Sequence, residues 1–270
     1  MPSIQIGPLS VWQHTPSTPP KARCIIIHGL GEHSGRHLNT VQHLVQSGIE
    51  VFRFDQRGCG KSAGEPQWID SFQDYVDDSH AMFQYIKDSC NELPLFVQGH
   101  SLGGAIAIEF AAQVGPQISG LIINGAAYLP GNAVSSFKIA IGRLLNRFTP
   151  HFKIPGGIDH SAISKDPLEV EKFKNDKLCY SFNTVRQGNI LLDALPLVLQ
   201  SMKKFSAPLL AVHGKKDRII RWEGTAELVK ACPSLDKTLH LFENGYHEPH
   251  NDLERDEYFS LITEWILKRT

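Results

Sequence analysis

The sequence predicts an α/β protein with a mostly parallel central sheet and helices on both faces. Three observations predict it. Apolar, β-branched runs such as Cys24-Ile25-Ile26-Ile27 have no polar face, as expected of strands covered on both sides. These runs alternate with stretches of helical period, which implies crossover connections and parallel pairing. Finally, Pro94-Leu95-Phe96-Val97 leads into Gly99-His100-Ser101-Leu102-Gly103 and then into the small-residue run Gly104-Ala105-Ile106-Ala107. That order reads as a buried strand, a sharp turn carrying a serine, and a helix.

The elements follow in order. Gln5 to His14 reads as a short strand or hairpin turning at Gly7-Pro8. After the 24–27 strand, a helix is expected from about Arg36 to Gln46, closed by Gly48. Glu50 to Phe54 is the next strand, and it ends in the glycine-rich turn Asp55-Gln56-Arg57-Gly58-Cys59-Gly60-Lys61-Ser62. Asp70 to Cys90 carries Phe72, Tyr75, Val76, Met82, Phe83 and Ile86 near a 3.6 period, with Asp70 or Ser71 as the expected N-cap. Beyond the serine turn, strands are expected at Gly120–Asn124, Leu209–His213 and Thr238–Glu243. An amphipathic helix holding Tyr258, Leu261, Ile262, Trp265 and Ile266 closes the chain. No clear strand is read between 127 and 205. So long an insertion between sheet strands is usually functional. The expectation is a helical cap over the strand C-terminal edge, where open α/β sheets bind ligands. The division is therefore a core of residues 1–126 and 206–270 with a cap of 127–205.

Composition excludes several classes. The formal net charge is −1 and no long basic block occurs, which argues against nucleic acid as a partner. The five cysteines are scattered without a CxxC pair, which fits reduced thiols and a cytoplasmic location better than a disulfide framework. No signal peptide is read, and no apolar stretch reaches the roughly 18 residues of a membrane span.

A serine hydroxyl is a weak nucleophile without an adjacent base. In a strand–turn–helix architecture the acid and the histidine follow the serine along the chain. Asp217 follows the apolar strand ending at His213-Gly214, and His247 follows the last strand in Gly245-Tyr246-His247. Both stand at strand C-terminal ends, on the sheet edge that carries Ser101. His247 would take the serine proton, and Asp217 would fix the imidazole tautomer. Taken singly, an Asp-Arg pair after a strand is a common polar turn and a loop histidine commonly faces solvent; the order of all three carries the assignment. An oxyanion needs two backbone donors. Leu102, the residue after the serine, supplies one candidate N–H. Leu30, in His28-Gly29-Leu30-Gly31-Glu32-His33, supplies the other.

Metal chemistry is not expected, although histidines number 13. His247-Glu248-Pro249-His250 is HExH rather than HExxH, and Pro249 spoils the helix that would put both histidines on one face. The glycine turn at 58–60 lacks the P-loop spacing, and Lys61-Ser62 reads as turn chemistry. No cofactor is expected. In the cap, Ile141, Leu144, Leu145 and Phe148 have helical spacing with Lys138, Arg143 and Arg147 interleaved. They read as the wall of an acyl-chain pocket whose rim makes transient contact with lipid surfaces.

Together these motifs resemble the α/β-hydrolase fold, and more narrowly the monoacylglycerol lipase and lysophospholipase group of serine hydrolases. The run from His28 to Arg36 is similar to that group's oxyanion-loop motif, and Asp55 to Ser62 to its DxxGxGxS turn. Gly99 to Gly104 is similar to its nucleophile elbow, Asp217-Arg218 and Tyr246-His247 to its acid and base segments, and Phe137-Lys138 with Ile158 to Ser161 to its cap. The elbow of that group often carries Met where Leu102 stands, a departure that leaves a main-chain donor in place. The resemblance implies Ser101, Asp217 and His247 as a triad, Leu30 and Leu102 as oxyanion donors, and a cap forming a lipophilic tunnel. It also implies an ester of glycerol and a long-chain fatty acid as substrate, with water as the second substrate. Two alternatives stay open: a lysophospholipase or broad carboxylesterase with the same triad, and a lipid binder that does not turn over.

Overall fold

The computed structural model describes residues 3–89, 92–131 and 135–270. Cys90, the expected end of a helix and one of the expected free thiols, lies outside the described residues. β1 (Ile4–Ile6) and β2 (Leu9–His14) form a hairpin through Gly7, which adopts φ 55°. Then come β3 (Ala22–Ile27), α1 (Leu38–Gln46), β4 (Ile49–Phe54), α2 (Gln73–Asp88), β5 (Leu95–His100), α3 (Leu102–Val114) and β6 (Gly120–Asn124). The insertion carries α4 (Ser136–Phe148), β7 (Lys153–Pro155), α5 (Pro167–Asn175), β8 (Phe182–Thr184), α6 (Val185–Ala194) and α7 (Val198–Met202). β9 (Leu209–Gly214), α8 (Trp222–Ala231), β10 (Lys237–Phe242) and α9 (Arg255–Leu267) complete the chain.

The sheet order is β1-β2-β4-β3-β5-β6-β9-β10. β2 is antiparallel to β1 and β4, and the pairs from β4 through β10 are parallel. Period-two alternation explains the uninterrupted apolar strands. Ile25 and Ile27 of β3 belong to one core cluster, with Phe110 of α3 and Met82 of α2. Cys24 and Ile26 belong to the other, with Leu44 of α1 and Tyr258 and Trp265 of α9. The sheet is thus buried from both sides, and the C-termini of its parallel strands, β3, β4, β5, β6, β9 and β10, point to one edge.

Some local readings are corrected. α2 is not capped by Asp70 or Ser71, since Phe72 occupies the N-cap. Instead the carboxylate of Asp74, inside the first turn, accepts the N–H groups of Asp70 (2.8 Å) and Ser71 (3.0 Å). The insertion does contain strands: β7 and β8 pair antiparallel, with Ile154 opposite Asn183. Each is 3 residues long, too short to show an alternation. α8 forms where no helix is expected from the sequence. The last part of the insertion packs into the body of the fold, where Val198, Met202 and Phe205 share the cluster of Phe110.

Candidate active site

Ser101 stands between β5 and α3 with φ 51° and ψ −119°, one of two non-glycine residues with positive φ among those described. That conformation is strained for an L-residue and persists only where the surroundings impose it. Backbone bonds impose it here. The Ser101 N–H donates to the Asn124 carbonyl at 2.9 Å, and the Ser101 carbonyl accepts from Gly104 and Ala127, each at 2.9 Å. The crossing is tight enough that a Cβ at Gly103 would run into the carbonyls of Ile27 and His28. Glycine at this position is therefore set by the close approach of α3 to the loop after β3.

His247 and Asp217 meet. His247 Nδ1 lies 2.7 Å from Asp217 Oδ2, and both side chains are buried. The other oxygen, Asp217 Oδ1, accepts the N–H groups of Ile219 (2.7 Å) and Ile220 (3.0 Å). Burial opposes a charge on Asp217, but the nearby His247 and the hydrogen bonds from His213 and His247 outweigh it and hold its pKa well below the carboxylate range. Burial likewise opposes a charged His247, and the charge of Asp217 outweighs it, raising the His247 pKa above the ordinary value.

His213 was not given a role from sequence, yet it completes this arrangement. Its Nε2 lies 3.0 Å from Asp217 Oδ2 and 3.1 Å from the Ile220 carbonyl, and its Nδ1 lies 2.7 Å from Thr225 Oγ1. Two acceptors at Nε2 require the proton there, so His213 donates to Asp217 and accepts from Thr225. Its position at the end of β9, four residues before Asp217, was the available signal. His100, beside Ser101, is held neutral: burial and the neighbouring His247 push its pKa well down.

The loop carrying Leu30 runs against the serine. A Cβ at Gly29 would sit 3.2 Å from Ser101 Cβ and 2.9 Å from Glu32 Oε1. Glu32 Oε1 accepts the Gly29 N–H at 2.5 Å and lies 3.1 Å from His37 Nε2. Gln56 holds the start of the loop, donating its N–H to His28 Nε2 at 3.0 Å and its side-chain amide to the His28 carbonyl at 2.5 Å. Leu102 is the first residue of α3, so its N–H has no acceptor within the helix. Glu32 Oε2, His37 Nδ1 and His250 Nε2 are buried without a hydrogen-bond partner.

The HExH run does not converge on one point. His247 turns to Asp217, Glu248 pairs with Arg36 at 2.5 Å, and His250 Nδ1 lies 3.1 Å from Asn124 Nδ2. Lys61 and Ser62 build the turn: the Lys61 N–H donates to Asp55 Oδ2 at 2.8 Å, and Ser62 Oγ donates to the Asp55 carbonyl. The residues expected to wall an acyl pocket are not buried. Ile141, Leu144 and Phe148 are 42%, 60% and 70% exposed, and Leu145 is half-buried. α4 buries no residue; it is tied to α6 by the Arg143–Asp193 ion pair and by Asn189, whose amide donates to the Gly142 carbonyl at 3.0 Å. Among the described residues, no helix is long and apolar enough to cross a membrane.

Comparison with known proteins places this geometry. The family described as serine aminopeptidase, S33, matches residues 18–254. A monoglyceride lipase of Rattus norvegicus is 34% identical over 94% of this chain and 85% of its own length. An abhydrolase domain-containing protein of Dictyostelium discoideum is 34% identical over 97% of this chain, which spans 28% of that longer protein. The crystal structure of a monoacylglycerol lipase from Paleococcus ferrophilus superimposes with a TM-score of 0.87 at 28% identity, covering 96% of this chain and 99% of that one. With its parallel sheet, its serine at the β5–α3 turn and this similarity along nearly its whole length, the chain belongs to the serine aminopeptidase S33 family of α/β-hydrolases.

Proposed function

We propose that this protein hydrolyses carboxylic esters of long-chain acyl glycerol, releasing a fatty acid and glycerol through an acyl-enzyme on Ser101. The 2.7 Å contact between His247 Nδ1 and Asp217 Oδ2 carries the reading. It leaves the Nε2 lone pair of a neutral His247 free to accept the Ser101 proton. Ser101 Oγ attacks the ester carbonyl, and the N–H groups of Leu30 and Leu102 hold the oxyanion. His247 then gives the proton to glycerol as it leaves. Water, deprotonated by His247, attacks the acyl-enzyme, and collapse returns the proton to Ser101. Asp217 stays ionised throughout and stabilises the imidazolium.

The choice of alcohol rests on the similarity to the rat monoglyceride lipase. In this reading 127–205 is the cap, and Ile141, Leu144, Leu145 and Phe148 contact the acyl chain or the lipid surface that delivers it. Exposed Phe137 and Phe148 beside Lys138 and Arg147 support that surface contact. The unpaired thiols of Cys24, Cys59, Cys179 and Cys232 suit a reducing, cytoplasmic compartment.

The test compares wild type with Ser101→Ala on long-chain monoacylglycerol, matched lysophosphatidylcholine and a short-chain ester. Turnover that depends on Ser101 and favours monoacylglycerol is expected. Preference for the lysophospholipid would overturn the head-group assignment, and retention of activity by Ser101→Ala would overturn the mechanism.

A further inference from the structure

Away from Ser101, a second group of ligating side chains comes together where the cap meets the core. His33 belongs to the loop after β3, and Asp176 and Cys179 belong to the cap segment between α5 and β8. Their ligand atoms all lie within 4.8 Å of one another. His33 Nε2 is 2.9 Å from Asp176 Oδ2. Asp176 Oδ1 accepts the Leu178 N–H at 2.8 Å, and the Cys179 N–H returns to the Asp176 carbonyl at 3.1 Å. The turn thus presents thiol and carboxylate on one side. The side chains of His33 and Asp176 are 13% and 32% exposed, so a small ion can reach them from solvent.

We propose that His33, Asp176 and Cys179 form a binding site for a divalent transition-metal ion of the zinc class, with water as the fourth ligand. One imidazole nitrogen, one carboxylate oxygen and one sulfur are a borderline-soft set that suits zinc or cobalt and disfavours calcium and magnesium. Ligand bonds of about 2.0–2.3 Å set tetrahedral ligand atoms roughly 3.3–3.7 Å apart, so an ion would spread His33 Nε2 and Asp176 Oδ2 slightly while Cys179 Sγ closes in, which side-chain rotation supplies. The Gly35 N–H donates to His33 Nδ1 at 3.2 Å, so the metal-free ring carries its proton on Nε2. Binding moves that proton to Nδ1 and opens the Gly35 bond, while the thiol proton of Cys179 leaves to buffer. Losing the Gly35 bond makes the site weaker than a structural zinc centre.

The ion would tie the cap to the loop that carries Leu30. These segments already touch at one main-chain bond, from the Tyr180 N–H to the Gly31 carbonyl at 2.7 Å. The effect on turnover rests on the ester-hydrolase reading, whereas the binding itself does not. The test titrates Co²⁺ into the metal-stripped full-length protein and reads the thiolate-to-cobalt charge-transfer band. A band saturating at one equivalent, displaced by Zn²⁺ and absent from Cys179→Ser, is expected. Asp176→Asn should weaken Co²⁺ binding at least about tenfold, and it carries the test should Cys179→Ser fail to fold. No band in wild type, or an undiminished band in folded Cys179→Ser, would overturn the site. Zn²⁺ should also slow ester hydrolysis by wild type but not by Cys179→Ser; full occupancy without slowing would overturn the coupling to the Leu30 loop and leave the site standing.

Discussion

Asp217→Asn is the substitution whose outcome follows most closely from the geometry. Asp217 Oδ1 accepts two backbone N–H groups, from Ile219 and Ile220. An asparagine must put its carbonyl oxygen there, because its NH₂ would otherwise face two donors. The NH₂ is then forced to the Oδ2 position, opposite His247 Nδ1 and His213 Nε2. A donor at that point drives the His247 proton from Nδ1 to Nε2 and removes the lone pair that accepts the serine proton. Trapping that wrong tautomer costs about 10⁴ in kcat in serine hydrolases, or about 5.5 kcal/mol at 1.36 kcal/mol per tenfold. His213 keeps the Ile220 carbonyl at 3.1 Å as an alternative acceptor, so the stability loss should stay near 1–3 kcal/mol. Steady-state hydrolysis of monoacylglycerol, with thermal unfolding in parallel, reads both quantities. A folded variant with kcat within tenfold of wild type would refute the reasoning.

The remaining predictions address the base, the oxyanion loop and the cap. His247 acts when neutral and its pKa is raised above the ordinary 6.5; kcat/KM should therefore rise with pH through an apparent value above 6.5, and a limb below that would contradict the His247–Asp217 coupling. Gly31 has φ 70°, and a Cβ there would lie 2.6 Å from the Tyr180 carbonyl oxygen. Gly31→Ala should displace the loop and lower kcat on the order of a hundredfold while the fold is retained by circular dichroism, and an unchanged kcat would show that Leu30 is not held through this contact. Lys138→Ala with Arg147→Ala should weaken co-sedimentation with anionic vesicles by about 2 kcal/mol, near thirtyfold; unchanged binding would remove α4 from the lipid contact.

Much of the fold was legible because strands buried on both faces leave uninterrupted apolar runs. Cys24 to Ile27 could be read as a strand without knowing what covered it. The proposed catalytic residues were legible for a related reason: parallel strands deliver their C-terminal loops to one edge, so order along the chain fixes which loops meet. What escaped reading depends on contacts between distant segments. Only the place of His213 at the end of β9, four residues before Asp217, hints that it shares that carboxylate. The spacing points to a capping side chain before α2, but Asp74 reaches back from the first turn to the N–H groups of Asp70 and Ser71. β7 and β8 pair with each other across a long stretch of chain, and each is too short to carry an alternation. The periodicity of α4 revealed an apolar stripe but not its direction, and Ile141, Leu144 and Phe148 face outward.

Mass spectrometry of the acyl-enzyme tests the central claim most directly. The protein is mixed with a long-chain monoacylglycerol, quenched in acid within the first turnovers and digested. The account predicts the mass of the acyl group on the peptide containing Ser101, and its loss in Ser101→Ala. An acyl group on a different residue, or Ser101-independent hydrolysis with no acylated peptide, would contradict it.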